Sequence, residues 1–331
     1  MTGAADRRPR AQATPSGTDS IDARLAGVQA ALSSPSANQE ESIRELKAIL
    51  AVDPRRGEAH MLLGMAYRMQ SAEMSSEARA ELVQALELDP DLVPARFILA
   101  QLYLDLGRPG GARDTLSAGL AQHPGQPQLS TLLAEAERQL GNPQRALELT
   151  GQALQGDASL LQARYYRALA LLDLEQRDAA ILELEQVAAA GGNPADTNSA
   201  LGAAYLEAGR LDAAIAALGA ALAADPARAD ARITLARAYR LRHQPERARA
   251  ELARARAAKP AAAVAQDPLE PLLYMELGLL DLEQNRLTAA AASFRKVLDI
   301  DPANEIAARH LADVEQRLVR QRRPAAPGKR R

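Results

Sequence analysis

Apolar side chains recur three, four and seven residues apart along most of the chain, in short segments that polar stops separate. Leu211, Ala214, Ile215 and Leu218 show the spacing, which places apolar groups on one face of an α-helix. Stops such as 140–143, Leu-Gly-Asn-Pro, combine a glycine with a proline. Glycine suits the position just past a helix, and proline suits the first turn of the next helix. The pattern predicts a succession of short amphipathic helices.

These segments repeat with a fixed period, which proline-ended phrases mark. Pro90 and Pro124 are 34 residues apart, as are Pro226 and Pro260, and the interval from Pro124 to Pro226 is three times that length. The interval that ends at Pro90 is 36 residues, and the one that ends at Pro302 is 42 residues. Each period holds two helical segments. One helix pair cannot bury its apolar face alone, so neighbouring pairs are expected to stack.

Small residues occupy the same places in successive repeats. The first helical segment carries one at its eighth place: Gly64, Ala100, Ala134, Ala168, Gly202, Ala236 and Gly278. The second segment carries another twelve residues later: Ala112, Ala146, Ala180, Ala214, Ala248 and Ala290. Small side chains allow two helix backbones to approach closely where they cross. We therefore expect the two helices of each repeat to pack against each other at these places.

The combined pattern resembles the tetratricopeptide repeat (TPR) family. One repeat shows Leu201-Gly202-x-x-Tyr205, then Ala214-x-x-x-Leu218, and closes at Pro226, and the resemblance extends from about residue 23 to residue 302. It implies an all-α fold: a right-handed superhelical solenoid of antiparallel helix pairs, with about eight TPR units and a C-terminal cap helix.

The register of the pattern divides the chain into four parts. A disordered N-terminal tail is expected at 1–20, the solenoid at 21–304, a capping helix at 305–320 and a basic disordered tail at 321–331. The expected repeats are 23–56, 57–92, 93–126, 127–160, 161–194, 195–228, 229–270 and 271–304. The first repeat is degenerate, and an alanine-rich insert at 261–268 lengthens the seventh.

Composition argues against an enzyme. The chain has no cysteine, and its four histidines fall in different repeats without a metal-ligand spacing, so no catalytic, metal or cofactor site is expected. The 40 basic and 42 acidic residues nearly balance, which disfavours a polybasic nucleic-acid binder. No apolar stretch follows the N-terminal arginines and none is long enough to span a membrane, so the expected location is cytoplasmic.

The resemblance also implies a binding surface. In the family, certain places of each first helix face a concave groove that holds a peptide or helix of a partner. Carried over to this sequence, these places are Met61, Met65, Arg68, Met69, Phe97, Gln101, Leu104, Arg138, Tyr165, Leu169, Leu172, Arg237, Arg240, Met275 and Leu279. Family members that bind chaperone C-termini use lysine and asparagine at successive first helices. Here Met61, Met65, Phe97 and Gln101 stand at those places, so that carboxylate clamp is absent.

The expected function is a non-catalytic scaffold or adaptor for a protein partner. Two alternatives stay open: a self-assembling structural scaffold that docks through its ends, and an accessory factor of a bacterial polysaccharide, pilus or secretion machine. The C-terminal segment 317–331 holds seven basic residues and no acid. Such a segment also suits nucleic acid or an anionic membrane, although a solubilising tail is the simpler interpretation.

Overall fold

A computed structural model describes residues 17–34, 38–257 and 268–322. The expectations for residues 1–16, for most of the insert at 261–268 and for the tail beyond residue 322 lie outside the described residues. The described part contains no β-strand. None of the described helices is both long and apolar enough to cross a membrane.

The described residues form seventeen α-helices and one short 3-10 turn, Ala72–Met74. The helices are α1 (Gly17–Leu32), α2 (Gln39–Val52), α3 (Gly57–Gln70), α4 (Ser75–Leu88), α5 (Val93–Asp105), α6 (Pro109–Gln122), α7 (Pro127–Gln139), α8 (Pro143–Gly156), α9 (Leu161–Asp173), α10 (Arg177–Ala189), α11 (Pro194–Glu207), α12 (Leu211–Ala224), α13 (Ala229–Leu241), α14 (Pro245–Ala257), α15 (Glu270–Glu283), α16 (Leu287–Ile300) and α17 (Glu305–Arg322). Successive helices form antiparallel pairs, which confirms the predicted all-α class.

The first and last helices extend beyond the ranges expected from the sequence. Helix α1 begins at Gly17, inside the segment expected to be a disordered tail. Ile21, in the second turn of this helix, packs against the core. Helix α17 continues to Arg322, two residues past the expected end of the cap helix.

The chain divides into two compact units, Met1–Ala158 with α1–α8 and Ser159–Arg331 with α9–α17. Inside each unit, a second helix packs against its own first helix and against the first helix of the next pair. Consecutive first helices also touch one another, as α3 does α5 and α11 does α13. This packing places the first helices side by side in each unit.

The small residues of the repeat lie at the helix crossings. A Cβ added to Gly202 would lie 2.3 Å from Cγ of Leu218, and one added to Gly278 would lie 2.6 Å from Cε1 of Phe294. Both apolar side chains are fully buried. Because the larger side chain fills the space above each glycine, the crossing is close-packed.

A side chain of the first helix forms hydrogen bonds with the turn between repeats. Arg232 donates from Nη2 to the carbonyl oxygen of Pro226 at 2.7 Å and from Nη1 to Oε2 of Glu251 at 2.9 Å. Arg96 makes the equivalent bond to the Pro90 carbonyl oxygen at 2.8 Å. His60 stands at this place in the second repeat, with its Nε2 3.0 Å from the carbonyl oxygen of the proline six residues earlier. We call this arrangement the turn bridge; it ties the proline that closes one repeat to the helices of the next.

Candidate protein-interaction surface on the first helices

In unit 1 the methionines of α3 differ in exposure along the helix. Met61 is only 7% exposed and belongs to the hydrophobic core. Met65 is half-buried against the same core, whereas Met69 is 41% exposed. The three were predicted to line a groove together. The structure leaves Met69 accessible and assigns Met61 to the packing between repeats, because it lies in the same apolar cluster as the buried residues of α1 and α2.

Helix α5 presents a mixed face beside α3. Phe97, Gln101 and Leu104 are all half-buried and lie four and three residues apart, on one side of the helix. Arg68 of α3 donates from Nη1 to Oε1 of Gln101 at 3.2 Å and from Nε to Oδ2 of Asp105 at 2.9 Å. Arg68 therefore links α3 to α5, and the apolar groups on either side of Gln101 form the rest of this face.

Helix α7 contributes a buried ion pair. Arg138 donates from Nε and Nη2 to the two carboxylate oxygens of Glu135, each at 2.9 Å. Gln139 donates to the same carboxylate at 2.8 Å. The Glu135 side chain is 9% exposed, so this two-point contact serves to satisfy a buried charge.

In unit 2, helix α9 carries an aromatic pair beside a cavity. The rings of Tyr165 and Tyr166 lie 5.7 Å apart with their planes tilted by 53°. They line a cavity of about 280 Å³ between α9, the end of α10 and the start of α11. Leu169 is half-buried, and Leu172 packs against the core of this unit. The predicted residues Tyr165 and Leu169 thus keep accessible surface, while Leu172 is largely structural.

Polar side chains join α11 to α13. Arg228 forms ion pairs with Asp196 of α11 and with Asp230 of α13. Ser199 donates to Oδ2 of Asp230 at 3.2 Å. Burial opposes ionisation of Asp230, but its hydrogen bond to Arg228 and the nearby positive charge outweigh it and lower the pKa of this carboxyl. The cluster is therefore ionised at neutral pH and fixes the spacing of the two first helices.

The two predicted arginines of α13 have different surroundings. Arg240 donates from Nε to Oε2 of Glu276 at 2.9 Å and from Nη1 to Oε1 of Glu283 at 2.6 Å, and its own side chain is 10% exposed. Arg237 lies 3.8 Å from Glu276 and is 52% exposed. Arg240 thus serves the contact between α13 and α15, and Arg237 is the arginine that remains open to a ligand.

The last three helices, α15, α16 and α17, share one apolar cluster. Met275, Leu279 and Leu282 are half-buried against a cluster that contains Phe294 of α16 and Val314 of α17. The predicted residues Met275 and Leu279 therefore contribute mainly to the packing of the last helices. In the described residues there is no group of three or more side chains able to hold a metal ion.

The contacts between consecutive first helices were not predicted from the sequence. Arg68 reaches Asp105, and Arg240 reaches Glu283. In both cases an arginine at the twelfth place of one first helix meets an acid at the thirteenth place of the next. An arginine at the twelfth place followed by an acid at the thirteenth place of the next repeat could therefore have predicted these contacts. The pattern is visible only when the repeats are aligned.

Comparison with known families gives matches to the repeat. A sequence model of the tetratricopeptide repeat matches residues 71–136 and 205–266, and a second model of the same repeat matches residues 261–305. Together they cover just over half of the chain. No curated protein gives a significant match.

Solved structures of other proteins resemble the chain to different degrees. A chain of the APC/C hetero-tetramer Cut9-Hcn1 superposes with a TM-score of 0.60 at 18% identity, over 79% of this chain and 56% of that chain. A tetratricopeptide repeat protein from Parabacteroides merdae ATCC 43184 gives a TM-score of 0.47 at 16% identity, with 89% of this chain and 99% of that chain covered. A thermophilic TPR protein in Thermus thermophilus, TTC0263, gives 0.48 at 27% identity, over 55% of this chain and 98% of that chain.

Proposed function

The chain belongs to the tetratricopeptide repeat family, and from that premise we propose that it is a non-catalytic adaptor whose first helices bind a peptide or helix of a partner protein. Proteins of this family generally mediate protein–protein interactions.

The accessible apolar face of α3 and α5 in unit 1 carries the proposal. Met69 is exposed, and Phe97 and Leu104 keep part of their surface accessible. The Arg68–Gln101 bond holds α3 beside α5. An apolar surface of this kind on a fixed pair of helices suits the apolar side chains of a helix or an extended segment.

Methionine suits this role for a physical reason. Its unbranched side chain has three rotatable bonds and a polarisable sulfur, so it adapts to ligands of different shape. Met65 lies one turn before Met69 and is fixed against the core. The partner is thus expected to contact a flexible methionine at the end of α3 and firmer groups on α5.

Site-specific photocrosslinking in cells tests the assignment. A benzophenone amino acid replaces Met69 on α3, and in a second variant it replaces Val83 on α4. Val83 is a matched control because it is exposed to a similar extent, 37% against 41%, in the same unit but on a second helix. We expect a discrete protein adduct from position 69 and none from position 83.

The same experiment can also contradict the assignment. Adducts from position 83 alone would place the partner on the second helices. The change Met69→Ser in the chain that carries the crosslinker at Leu104 should reduce the adduct, since apolar contact is lost. The variant Met61→Ser is unsuited to this test because it would create a polar group in the core.

A further inference from the structure

The cleft between α1 and α2 is open at Gly27. A Cβ added to Gly27 would meet no atom within 4 Å. A cavity of about 580 Å³ occupies the cleft. Its walls are Arg24, Gly27, Val28 and Ala31 of α1 and Glu41, Ser42, Arg44 and Glu45 of α2. The floor consists of small and apolar groups, and the rim is charged.

Helix α17 has the features of a first helix, but no second helix covers it in the described part of the chain. Leu311 and Ala312 follow Leu277 and Gly278 by 34 residues, the period of the repeat. In the preceding repeat the small residue lies under Phe294. Ala312 instead lines a surface groove of about 510 Å³ with Glu315, Gln316, Val319 and Arg320. Val319 is 56% exposed.

We propose that these two surfaces bind each other in neighbouring copies of the chain. Helix α17 of one copy lies in the α1–α2 cleft of the next, antiparallel to α2. Ala312, Gln316 and Val319 lie four and three residues apart and form a narrow helix face. Such a face fits a floor made of Gly27 and Ala31, because small residues on both sides let helices approach closely.

The charges around the two surfaces are complementary in this orientation. Glu41 lies on the α2 wall of the cleft, and Arg320 lies in the last turn of α17 beside Val319. Antiparallel docking brings Glu41 to Arg320. Arg320 has no ion-pair partner among the described residues. Glu315 lies five residues before Arg320 and flanks the opposite side of the α17 face, so it faces the α1 wall, where Arg24 lines the cleft. Glu315 binds Arg295 at 2.6 Å but is 49% exposed, so it can accept a second donor.

The two surfaces are different, and this determines how the assembly grows. A contact between unlike surfaces adds copies one after another, whereas a contact of one surface with itself stops at a two-fold dimer. The assembly therefore has a mass that rises with protein concentration. It uses neither Met69 nor the other groups of the proposed partner surface, so the two proposals can fail separately.

Sedimentation velocity on the full chain at several concentrations tests the proposal. Wild type is expected to exceed the monomer mass of 35.3 kDa increasingly as concentration rises. Gly27→Leu fills the cleft and Val319→Asp places a charge on the α17 face, so each variant alone should remain monomeric. An equimolar mixture should form a species of twice the monomer mass and none larger, because each variant retains one working surface.

Two controls separate this mechanism from loss of folding and from other contacts. Gly219→Leu changes another helical glycine with open space around it and should assemble like wild type. Circular dichroism should show the same helix content for all variants. If Val319→Asp abolishes association while Gly27→Leu does not, α17 binds something other than the cleft, and the proposal is overturned. A wild-type chain that stays monomeric overturns it as well.

Charge reversal tests the orientation. Arg320→Glu should raise the dissociation constant about tenfold or more, because it faces Glu41 across the interface. Adding Glu41→Arg in the same chain should restore association. If the double variant associates no better than Arg320→Glu alone, the antiparallel arrangement is wrong.

Discussion

The helix pairs α1–α2 and α11–α12 share a pattern on their second helices but pack differently. Ala214 and Leu218 in α12 have the same spacing as Ser42 and Leu46 in α2, and both leucines are fully buried. Leu218 covers the glycine of α11, whereas Gly27 of α1 stays uncovered. The residue sixteen places before Leu46, as Gly202 is before Leu218, is Ala30, and it stays exposed, so a small residue in register with the leucine is not sufficient for a close crossing.

The first pair differs from the later pairs in its side chains. Leu25, Val28 and Leu32 of α1 are buried, whereas Gly27 lines the open cleft, three residues before the place that the repeat gives to its small residue. The first pair also has Ala26 where Arg232 forms the turn bridge in a later repeat. It is joined instead by Arg24 and Glu45 at a partly exposed contact of 2.6 Å, where the hydrogen bond from Arg24 lowers the pKa of Glu45. The open cleft thus occurs in a helix pair that lacks both the covered glycine and the turn bridge.

The largest expected effect is at the closed crossing. Gly202→Leu would force a side chain into the space that Leu218 fills, since even a Cβ would lie 2.3 Å from Leu218 Cγ. We expect a loss of about 3 kcal/mol in the free energy of unfolding. Chemical denaturation followed by circular dichroism measures it. A variant as stable as wild type would show that α11 and α12 do not cross at Gly202.

Removal of a turn bridge should have the next largest effect. Arg232→Met leaves Glu251, whose side chain is 10% exposed, with the exposed Arg254 as its one remaining ion-pair partner among the described residues. The expected loss in the free energy of unfolding is about 2 kcal/mol, because a buried carboxylate would lack part of its compensation.

A matched control for this change exists on the surface. Arg295→Met removes an ion pair with Glu315 whose two side chains are 57% and 49% exposed. We expect a loss of about 0.5 kcal/mol or less, as is usual for exposed pairs. If both variants lose the same stability, the turn bridge contributes no more than a surface ion pair and the contrast between the helix pairs rests on packing alone.

The fold was predictable because its signal is local and repeated. Three features recur in successive repeats: the period, the small residue on each helix of the pair, and the apolar residue four places after the small residue of the second helix. Their recurrence is sufficient to predict the helices and how they pair. At the closed crossings the structure shows the consequence, with Gly64 against Leu82 and Gly278 against Phe294. The start of α1 was missed because Ile21 continues the helical spacing into a polar segment that has no repeat to be aligned with.

The candidate site was less predictable because the side chains of a first helix can contact the adjacent helices of the solenoid as well as a ligand. Met61 belongs to the place that faces a groove in the family, yet here it packs into the core. The sequence predicts the same groove-facing role for Arg68, Arg240 and Arg237. Only the structure shows that Arg68 and Arg240 form ion pairs with acidic residues of the next first helix. Side-chain contacts between helices more than 30 residues apart cannot be judged from periodicity.

A smaller effect is expected at the turn between α9 and α10. Glu175 has a positive φ of 60° at the place that Gly141 and Gly209 hold in neighbouring repeats. A left-handed conformation is costly for a residue with a Cβ. Glu175→Gly should therefore raise the free energy of unfolding by about 1 kcal/mol, measured by thermal and chemical denaturation. A decrease would mean that the exposed contact of Glu175 with Arg177 outweighs the backbone strain.

The smallest expected effect is the most informative about the first pair. Gly27→Leu should leave the stability of the monomer unchanged or raise it by up to about 1 kcal/mol, because leucine favours a helix more than glycine does. The same substitution at Gly202 is expected to be destructive, so the two variants measure the packing of the two pairs with one chemical change. Gly219→Leu, at another uncrowded helical glycine, gives the value for helix propensity alone. If Gly27→Leu is less stable than this reference when both are measured at a concentration where the chain is monomeric, then α1 and α2 close upon each other in solution. In that event the cleft that α17 is proposed to occupy does not exist.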